Sequence, residues 1–389
     1  MHVAERMFRL GTESAFETGA RARALEAQGH RIIHLEIGEP DFDTPAHIVE
    51  AACAALRAGQ THYTPPEGIA PLREAIAAHL SATRNHEIDP RQVVVTPGAK
   101  PIMFYVLLAL AEPGVEVIYP NPGFPIYESM INFCGATPVP LPLREERDFR
   151  FDLDEFRSLI TDRTRLIILN SPQNPTGGYL QRSDLAAIAE ACVERNIMVL
   201  ADEIYEHILY DGEFASISTF PGMSTRERTI ILHGFSKTYA MTGWRLGFGV
   251  MPLSLAEHIK RLVINSNSCT SACTQYAGLA ALQGPQECVR EMVAEFRRRR
   301  DVIVDGLNAI PGITCRKPLG AFYVFPNITG TGMRSRECAD FLMHEAGVSC
   351  LSGTSFGAYG EGHLRLSYAN SVENIERALA QIKDSLASR

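Results

Sequence analysis

Short apolar runs alternate with helical patterns through the middle of this 389-residue chain. The runs are rich in Val, Ile and Leu along their whole length, and each ends in polar or turn-forming residues. Strands of this kind are typical of a parallel sheet that helices cover on both faces. The pattern therefore predicts an α/β fold with a mainly parallel sheet. The runs are VVVT (93–96), VEVIYP (115–120), RLIILN (165–170), IMVLAD (197–202) and TIILHG (229–234).

Polar residues cluster where these predicted strands end. In open α/β sheets, ligands bind beyond the carboxyl ends of the strands. Because every cluster follows a strand, we expect all of them to meet at one edge of the sheet. They are residues 98–100, residues 121–124, Asn174, residues 202–205 and residues 236–237.

The pattern changes near residue 284. A long charged helix is predicted for residues 285–310, and shorter strands and helices come after it. This order favours a smaller α+β domain. No linker is long enough to separate independent modules, so we expect two domains that share a cleft. Residues 1–45 form an N-terminal segment that joins the small domain, residues 46–284 the large domain, and residues 285–389 the small domain.

Composition and charge narrow the class of protein. A net charge of −8 argues against a nucleic-acid binder or a binder of anionic membranes. The one basic cluster, residues 297–300, is interpreted as a solvated helix face. No apolar stretch approaches the ~20 residues of a membrane span, and residues 1–17 do not have the pattern of a targeting peptide. Nine cysteines without a C-x-x-C pair indicate reduced thiols, so we expect a cytoplasmic protein.

The residues at the predicted sheet edge form a chemically specific set. Lys237 is a potential amine nucleophile. Asp202 ends an apolar strand, where a carboxylate is costly unless it pairs with a cation. The others supply an anion site, neutral donors and an aromatic face. They are Arg245, Ser236 and the backbone of TPGAK (96–100) for an anion, Asn174 and Tyr205 as donors, and Phe124 as the aromatic face.

One cofactor, pyridoxal 5′-phosphate, requires all of these groups. Its aldehyde bonds to a lysine, its pyridine nitrogen pairs with a carboxylate, and its phosphate binds Arg, Ser and amide groups. Each residue taken alone is more often structural, so the prediction depends on their occurring together. His207, His233 and His363 are interpreted as structural, and we predict no metal site.

The chain resembles the class I/II aminotransferases of the fold type I pyridoxal-phosphate enzymes, over essentially its whole length. The subgroup most similar to it contains bacterial aspartate and aromatic aminotransferases. Eight motifs in family order carry the resemblance. They are IGEPDFDTP (37–45), HYTPPEGIAPLREAIA (62–77), TPGAK (96–100), YPNPGFPIY (119–127), NSPQNPTGG (170–178), ADEIYE (201–206), SKTYAMTGWRLG (236–247) and HLRLSYA (363–369).

The resemblance implies a seven-stranded-type sheet, a homodimer with active sites at the subunit interface, and ping-pong transfer of an α-amino group between an L-amino acid and a 2-oxo acid. Lys237 then bonds to the cofactor and moves a proton, Asp202 keeps the pyridine nitrogen protonated, and Arg365 binds the substrate α-carboxylate. The other implied contacts are Asn174 and Tyr205 to the 3′ oxygen, Arg245, Ser236, Gly98, Ala99 and Lys100 to the phosphate, Phe124 to the ring, Asn174 and Gly38 to the carboxylate, and Tyr63 to the phosphate in the neighbouring subunit.

Two positions depart from the family pattern. Gly234 stands where many relatives have a serine that binds the phosphate, and Phe124 stands where Trp or Tyr is frequent. The donor and acceptor stay open, because an acidic side chain would need a second cation that the sequence does not identify. A β-lyase of sulfur amino acids is the alternative on the same scaffold, since the motifs define cleavage of the Cα–H bond better than the fate of the resulting carbanion.

Two other classes of protein fit less well. GTSFG (353–357) matches the nucleophile elbow of serine hydrolases, but a strand is predicted after it in place of a helix, and His363 lies too near to be a triad partner. An aminotransferase-like transcription factor carries a DNA-binding domain in front. Here the family motifs begin near residue 30, so we expect no such domain.

Overall fold

Helices and strands alternate along the chain in the computed structural model, which describes residues 2–389. Within these residues no helix has the length and apolar character needed to cross a membrane. The strands are β1 Ile33–His34, β2 Val93–Thr96, β3 Glu116–Asn121, β4 Thr137–Pro142, β5 Thr164–Asn170, β6 Met198–Asp202, β7 Thr229–Gly234, β8 Gly247–Val250, β9 Tyr323–Val324, β10 Val348–Ser349, β11 Leu351–Ser352 and β12 Leu364–Ser367. The helices are α1 Ser14–Glu26, α2 Ala46–Arg57, α3 Ala70–Arg84, α4 Lys100–Leu110, α5 Ile126–Cys134, α6 Leu153–Leu159, α7 Arg182–Arg195, α8 Leu253–Ser266, α9 Ala272–Gln283, α10 Glu287–Asn308, α11 Ser335–Glu345 and α12 Val372–Ala387.

The central sheet has seven strands in the order β2-β8-β7-β6-β5-β3-β4. Four neighbouring pairs are parallel, and β8 runs antiparallel to both of its neighbours. The prediction of a mainly parallel sheet is confirmed. In the register of β5 and β6, Asn170 lies opposite Asp202, so the polar ends of these strands share one edge.

Side chains of each inner strand are buried on both faces of the sheet. In β5, Leu166 and Ile168 belong to a core cluster that contains residues of α4, α5 and α8. Ile167, between them, belongs to a different cluster with Leu185 and Ile188 of α7. Because consecutive side chains of a strand point to opposite faces, burial on both faces explains the uninterrupted apolar runs.

Two strands of the sheet, β4 and β8, lack the apolar pattern of the others. β4 reads TPVPLP, and it lies at the edge of the sheet, where a proline without an N–H group is tolerated. β8 reads GFGV, and a Cβ atom at Gly247 would overlap the backbone of Gly98 and Ala99, just before α4, whereas one at Gly249 would press on the side chains of Ile102 and Met251. Close approach of the turn before α4 therefore requires glycine at position 247.

A further core cluster joins the end of the chain to its beginning. It contains residues of α10, α11 and α12 and of the three-stranded sheet β11-β12-β9, together with Ile33 and Leu35. β1 pairs in parallel with β10. The helix predicted for residues 285–310 is confirmed as α10, whereas the domain boundaries at residues 45 and 284 stay predictions.

The interpretation of residues 297–300 as a solvated helix face is wrong for two of the four arginines. Arg299 is buried and pairs with Asp41, and Arg300 is buried and pairs with Asp211. Four consecutive residues of an α-helix point in four directions about its axis, so an uninterrupted basic run on a packed helix must place some members inward.

Candidate active site

A cavity of about 530 Å³ opens beyond the carboxyl ends of β5, β6 and β7. The start of α4 and a residue of β12 also line it. Two predicted site residues do not line the cavity: Tyr63, which is 91% exposed, and Gly98, which lies in the turn before α4. The predicted site residues that do line the cavity are Gly38, Ala99, Lys100, Phe124, Asn174, Asp202, Tyr205, Ser236, Lys237, Arg245 and Arg365.

Lys237 lies three residues after the end of β7, with its amine inside the cavity. Its Nζ donates a hydrogen bond to the carbonyl oxygen of Gly38 at 2.6 Å. The pKa of Lys237 is lowered to about 8, mainly by burial; Glu39 opposes this effect, whereas Arg365 and Arg245 act in the same direction as burial. At pH 7 about a tenth of this amine is therefore uncharged, far more than for an ordinary lysine, which makes it a competent nucleophile and proton acceptor.

Asp202 is the last residue of β6 and is buried. Its Oδ2 accepts a hydrogen bond from the Tyr127 hydroxyl at 2.5 Å, and its Oδ1 accepts one from the backbone N–H of Ile204 at 3.3 Å. Burial raises the pKa of Asp202 to about 6, although the bond from Tyr127 lowers it. A carboxylate in this position favours a cationic partner in the cavity.

Arg365 reaches the cavity from β12 and is also buried. One of its Nη atoms donates to the backbone oxygen of Glu36, and the other donates to Asn174 Oδ1 at 3.3 Å. Its Nε has no hydrogen-bond partner anywhere in residues 2–389. A buried guanidinium with a spare donor suits a carboxylate ligand, which accepts two parallel hydrogen bonds.

The turn between β2 and α4 lies against the guanidinium of Arg245. Gly98 in this turn has φ +91°, and a Cβ atom there would overlap the Arg245 side chain. Arg245 itself has φ +53°, a conformation that non-glycine residues rarely adopt. Backbone amides at the start of α4, the cation of Arg245 and the buried Ser236 together form a site suited to a phosphate.

Two tyrosines of the site were not identified from the sequence. Tyr127 bonds to Asp202, and the hydroxyl of Tyr323 lies 2.8 Å from that of Tyr205. Both lie in stretches rich in aromatic residues and proline, YPNPGFPIY and AFYVFP. In such stretches the sequence does not distinguish a tyrosine that only packs in the core from one whose hydroxyl forms a hydrogen bond in the site. Only the folded chain shows which hydroxyl meets which partner.

The structure shows what surrounds Gly234 and Phe124, the two residues that depart from the family pattern. Gly234 ends β7 opposite Gly247, and a Cβ atom there would lie 3.1 Å from the Cα of Gly247. Phe124 is half-buried at the cavity wall, 5.6 Å from the ring of Tyr127 and edge-on to it, with Lys100 Nζ 5.4 Å from its centroid. Phe124 thus presents an aromatic surface without a hydrogen-bonding group.

Known proteins share both the sequence and the fold. The model of the family "Aminotransferase class I and II" matches residues 30–382. The aspartate aminotransferase of Pyrococcus abyssi is 42% identical over 92% of each chain. The aromatic-amino-acid aminotransferase 2 of Thermococcus litoralis is 41% identical over 93% of this chain and 94% of its own. The crystal structure of the aspartate aminotransferase from Rhizobium meliloti has a TM-score of 0.95 at 34% identity, covering 100% of this chain and 99% of that one. This chain belongs to the class I and II aminotransferase family.

Proposed function

We propose that this chain is a pyridoxal-phosphate-dependent aminotransferase that moves the α-amino group of an L-amino acid to a 2-oxo acid in two half-reactions. Enzymes of this family depend on pyridoxal phosphate. The observation that carries the proposal is the convergence of Lys237, Asp202 and Arg365 on one cavity at the sheet edge.

The donor set of the cavity fits the cofactor. Arg245, Ser236 and the amides at the start of α4 match its phosphate, and the buried carboxylate of Asp202 matches its pyridinium. Gly98 fits this arrangement, since any side chain there would displace Arg245. The remaining contacts are Phe124 against one ring face and Tyr205 with Asn174 at the 3′ oxygen. When bound, pyridoxal phosphate supplies an electron sink that stabilises negative charge on the substrate Cα.

Lys237 is the residue that moves the proton in this proposal. The uncharged Nζ accepts the proton from the substrate Cα and returns one during transfer. Its pKa of about 8 lies close to neutral pH, which balances the fraction of free base against its strength as an acceptor. The hydrogen bond from Nζ to the Gly38 oxygen supports this role, because it shows that the amine reaches into the cavity that the substrate would enter.

Arg365 binds and orients the substrate. Its spare Nε and one Nη atom donate to the α-carboxylate, with Asn174 and the backbone of Gly38 beside it. The aromatic rings of Tyr323 and Phe356, with centroids 4.7 and 5.0 Å from the guanidinium carbon, keep the group in place. A carboxylate fixed in this way directs the Cα–H bond toward the proton acceptor.

The proposed assembly is a homodimer in the cytoplasm. The exposure of Tyr63 supports this, because its hydroxyl is free to reach the phosphate in the neighbouring subunit. We further propose transamination as the outcome in preference to β-elimination, since the named relatives are aminotransferases.

A panel of amino donors tests the proposal. Purified enzyme is incubated with each L-amino acid and with 2-oxoglutarate or pyruvate, and the new amino acid is measured. We expect amino transfer without release of ammonia. Lys237→Ala is expected to abolish transfer and the visible absorbance of covalently bound cofactor, whereas Lys383→Ala, at an exposed position, changes neither. Transfer by Lys237→Ala at the unaltered rate, or ammonia and pyruvate as the products, contradicts the proposal.

A further inference from the structure

A second cavity, of about 540 Å³, is lined by His79 and His207 together with residues of α9 and α10. It shares no lining residue with the cavity that contains Lys237. His79 lies on α3, and His207 comes after β6 in the same loop that begins with Asp202 and Tyr205. Two imidazoles thus face an open space that the proposed transamination does not use.

Glu206 completes a compact group with these histidines. One side-chain nitrogen or oxygen atom from each of the three residues lies within 4.8 Å of the other two. Nε2 of His207 is 3.5 Å from Oε1 of Glu206, and the centroids of the two imidazole rings are 5.9 Å apart. Throughout the described chain, no group forms a hydrogen bond to the ring of either His79 or His207.

The carboxylate of Glu206 is held in a fixed orientation by its other oxygen. Oε2 accepts a hydrogen bond from the buried Arg84 and lies 3.3 Å from Nε2 of His233. Oε1, the other oxygen of Glu206, is left facing His207, 3.5 Å from its Nε2.

The charges beside the cluster favour a cation. The guanidinium of Arg84 contacts two carboxylates, those of Glu203 and Glu206, so two acidic groups share one buried cation. In its neutral form, each imidazole of His79 and His207 has a lone pair to offer to a metal ion.

We propose that His79, Glu206 and His207 bind a divalent transition-metal ion of the zinc type, with its fourth position open to the cavity. Two imidazoles, one carboxylate and an open position are a ligand set that zinc accepts. Tetrahedral zinc with bonds of about 2.0–2.1 Å separates its ligand atoms by about 3.3 Å, so rotation of the two partly exposed imidazoles closes the remaining gap. The ion would connect α3 to the loop that carries Asp202 and Tyr205.

Titration of the holoenzyme with metal tests this site. Enzyme freed of metal and of unbound cofactor is titrated with Zn²⁺ by calorimetry and with Co²⁺ by visible absorption. We expect one ion per chain, a tetrahedral Co²⁺ spectrum without thiolate charge-transfer bands, and a higher melting temperature with Zn²⁺. His79→Asn and His207→Asn should each weaken binding by about tenfold or more. His344→Asn, at an exposed position in α11, is the matched control and should bind as the unaltered chain does.

Thermal melting without metal shows whether each variant is folded. The proposal is wrong if the unaltered chain binds no stoichiometric ion, if thiolate bands place the ion on cysteine, or if His79→Asn and His207→Asn both retain full affinity. Because the cluster uses no residue of the proposed cofactor site, its failure would leave the proposed aminotransferase function unchanged.

Discussion

The pKa of Lys237 is determined by the surroundings of its side chain in the folded protein. An ordinary lysine is almost fully protonated at neutral pH, whereas burial lowers the pKa of this one to about 8. The unfolded chain has no such environment, so the lysine there titrates near its usual value of about 10.4. The folded protein therefore carries an electrostatic cost that serves the proposed proton transfer.

Replacement of this lysine by a similar apolar side chain is expected to stabilise the apoprotein. Below about pH 8 Lys237 is protonated in both the folded and the unfolded state of the unaltered chain, and its buried charge destabilises the folded state by about 3 kcal/mol. The substitution removes this cost, but it also removes the hydrogen bond to Gly38, which contributes about 1 kcal/mol. From pH 8 to about 10.5 the unfolded chain binds more protons, so the unaltered protein gains stability as pH rises. Lys237→Met should thus raise the free energy of unfolding at pH 7, with an advantage that shrinks toward pH 10, in urea denaturation. Lys383→Met is the exposed control, and an advantage that does not vary with pH would contradict the assigned cause.

Arg365 is expected to control substrate affinity. Under the proposed function, Arg365→Ala removes two charge-assisted hydrogen bonds to the α-carboxylate and should raise the KM for the amino donor about 100-fold. Arg365→Lys keeps the charge without the paired geometry and should give an intermediate KM. Steady-state kinetics measure both, and Arg336→Ala, at an exposed position in α11, is the control. An unchanged KM in Arg365→Ala would remove this residue from the substrate site.

At the scale of elements, the turn between β2 and α4 depends on a close approach of backbone to side chain. Gly98 combines a positive φ with contact to the Arg245 guanidinium, and Gly247 of β8 lets the start of α4 approach the sheet. These glycines position the amides and the cation of the proposed phosphate site. Because glycine has no side chain, these residues act only through the backbone geometry of the junction between strand and helix.

Gly98→Ala is therefore expected to weaken cofactor binding by about tenfold, which corresponds to about 1.4 kcal/mol of disturbed contacts. The chain provides a matched control in Gly29, which has φ +92° against +91° for Gly98 but has open space where a Cβ atom would lie. Gly29→Ala should lower stability by about 1 kcal/mol and leave cofactor affinity unchanged. Fluorescence titration of the apoproteins with pyridoxal phosphate measures the affinity. Equal affinities in the two variants would contradict the role of the contact between Gly98 and Arg245 in cofactor binding.

At the scale of the whole molecule, the proposed dimer places Tyr63 in the active site of the other subunit. Mixing of variant subunits tests this arrangement. Tyr63→Ala and Lys237→Ala, unfolded together and refolded, should form heterodimers that each contain one complete site. Activity at limiting cofactor should therefore rise to roughly a quarter of that of the unaltered enzyme, since random pairing makes about half of the dimers mixed. Refolding of the double variant Tyr63→Ala/Lys237→Ala with unaltered chain is the control, because no mixed dimer then has a complete site. No recovery in the first mixture would contradict the shared site.

Much of the large sheet and of the candidate site was predictable from local pattern. Five strands, β2, β3, β5, β6 and β7, were evident because burial on both faces leaves an uninterrupted apolar run. β4 and β8 were not, because an edge strand tolerates proline and a strand under a close helix requires glycine, and both residues are otherwise signs of a turn. Lys237 and Asp202 were predicted as candidate site residues because they lie at the ends of strands, whereas Arg365 was predicted only from the resemblance to the aminotransferase family.

The sequence by itself determined the fold class, the family and the chemistry that the main site residues offer, since periodicity and residue type are local properties. The tertiary structure alone decided which side chains meet. Tyr127 bonds to Asp202 and His79 meets His207 across long stretches of chain. The pKa of about 8 at Lys237 likewise arises from burial among residues distant in sequence. Distances, burial and electrostatic environment depend on how helices and strands pack against one another, and one sequence read locally does not specify that packing.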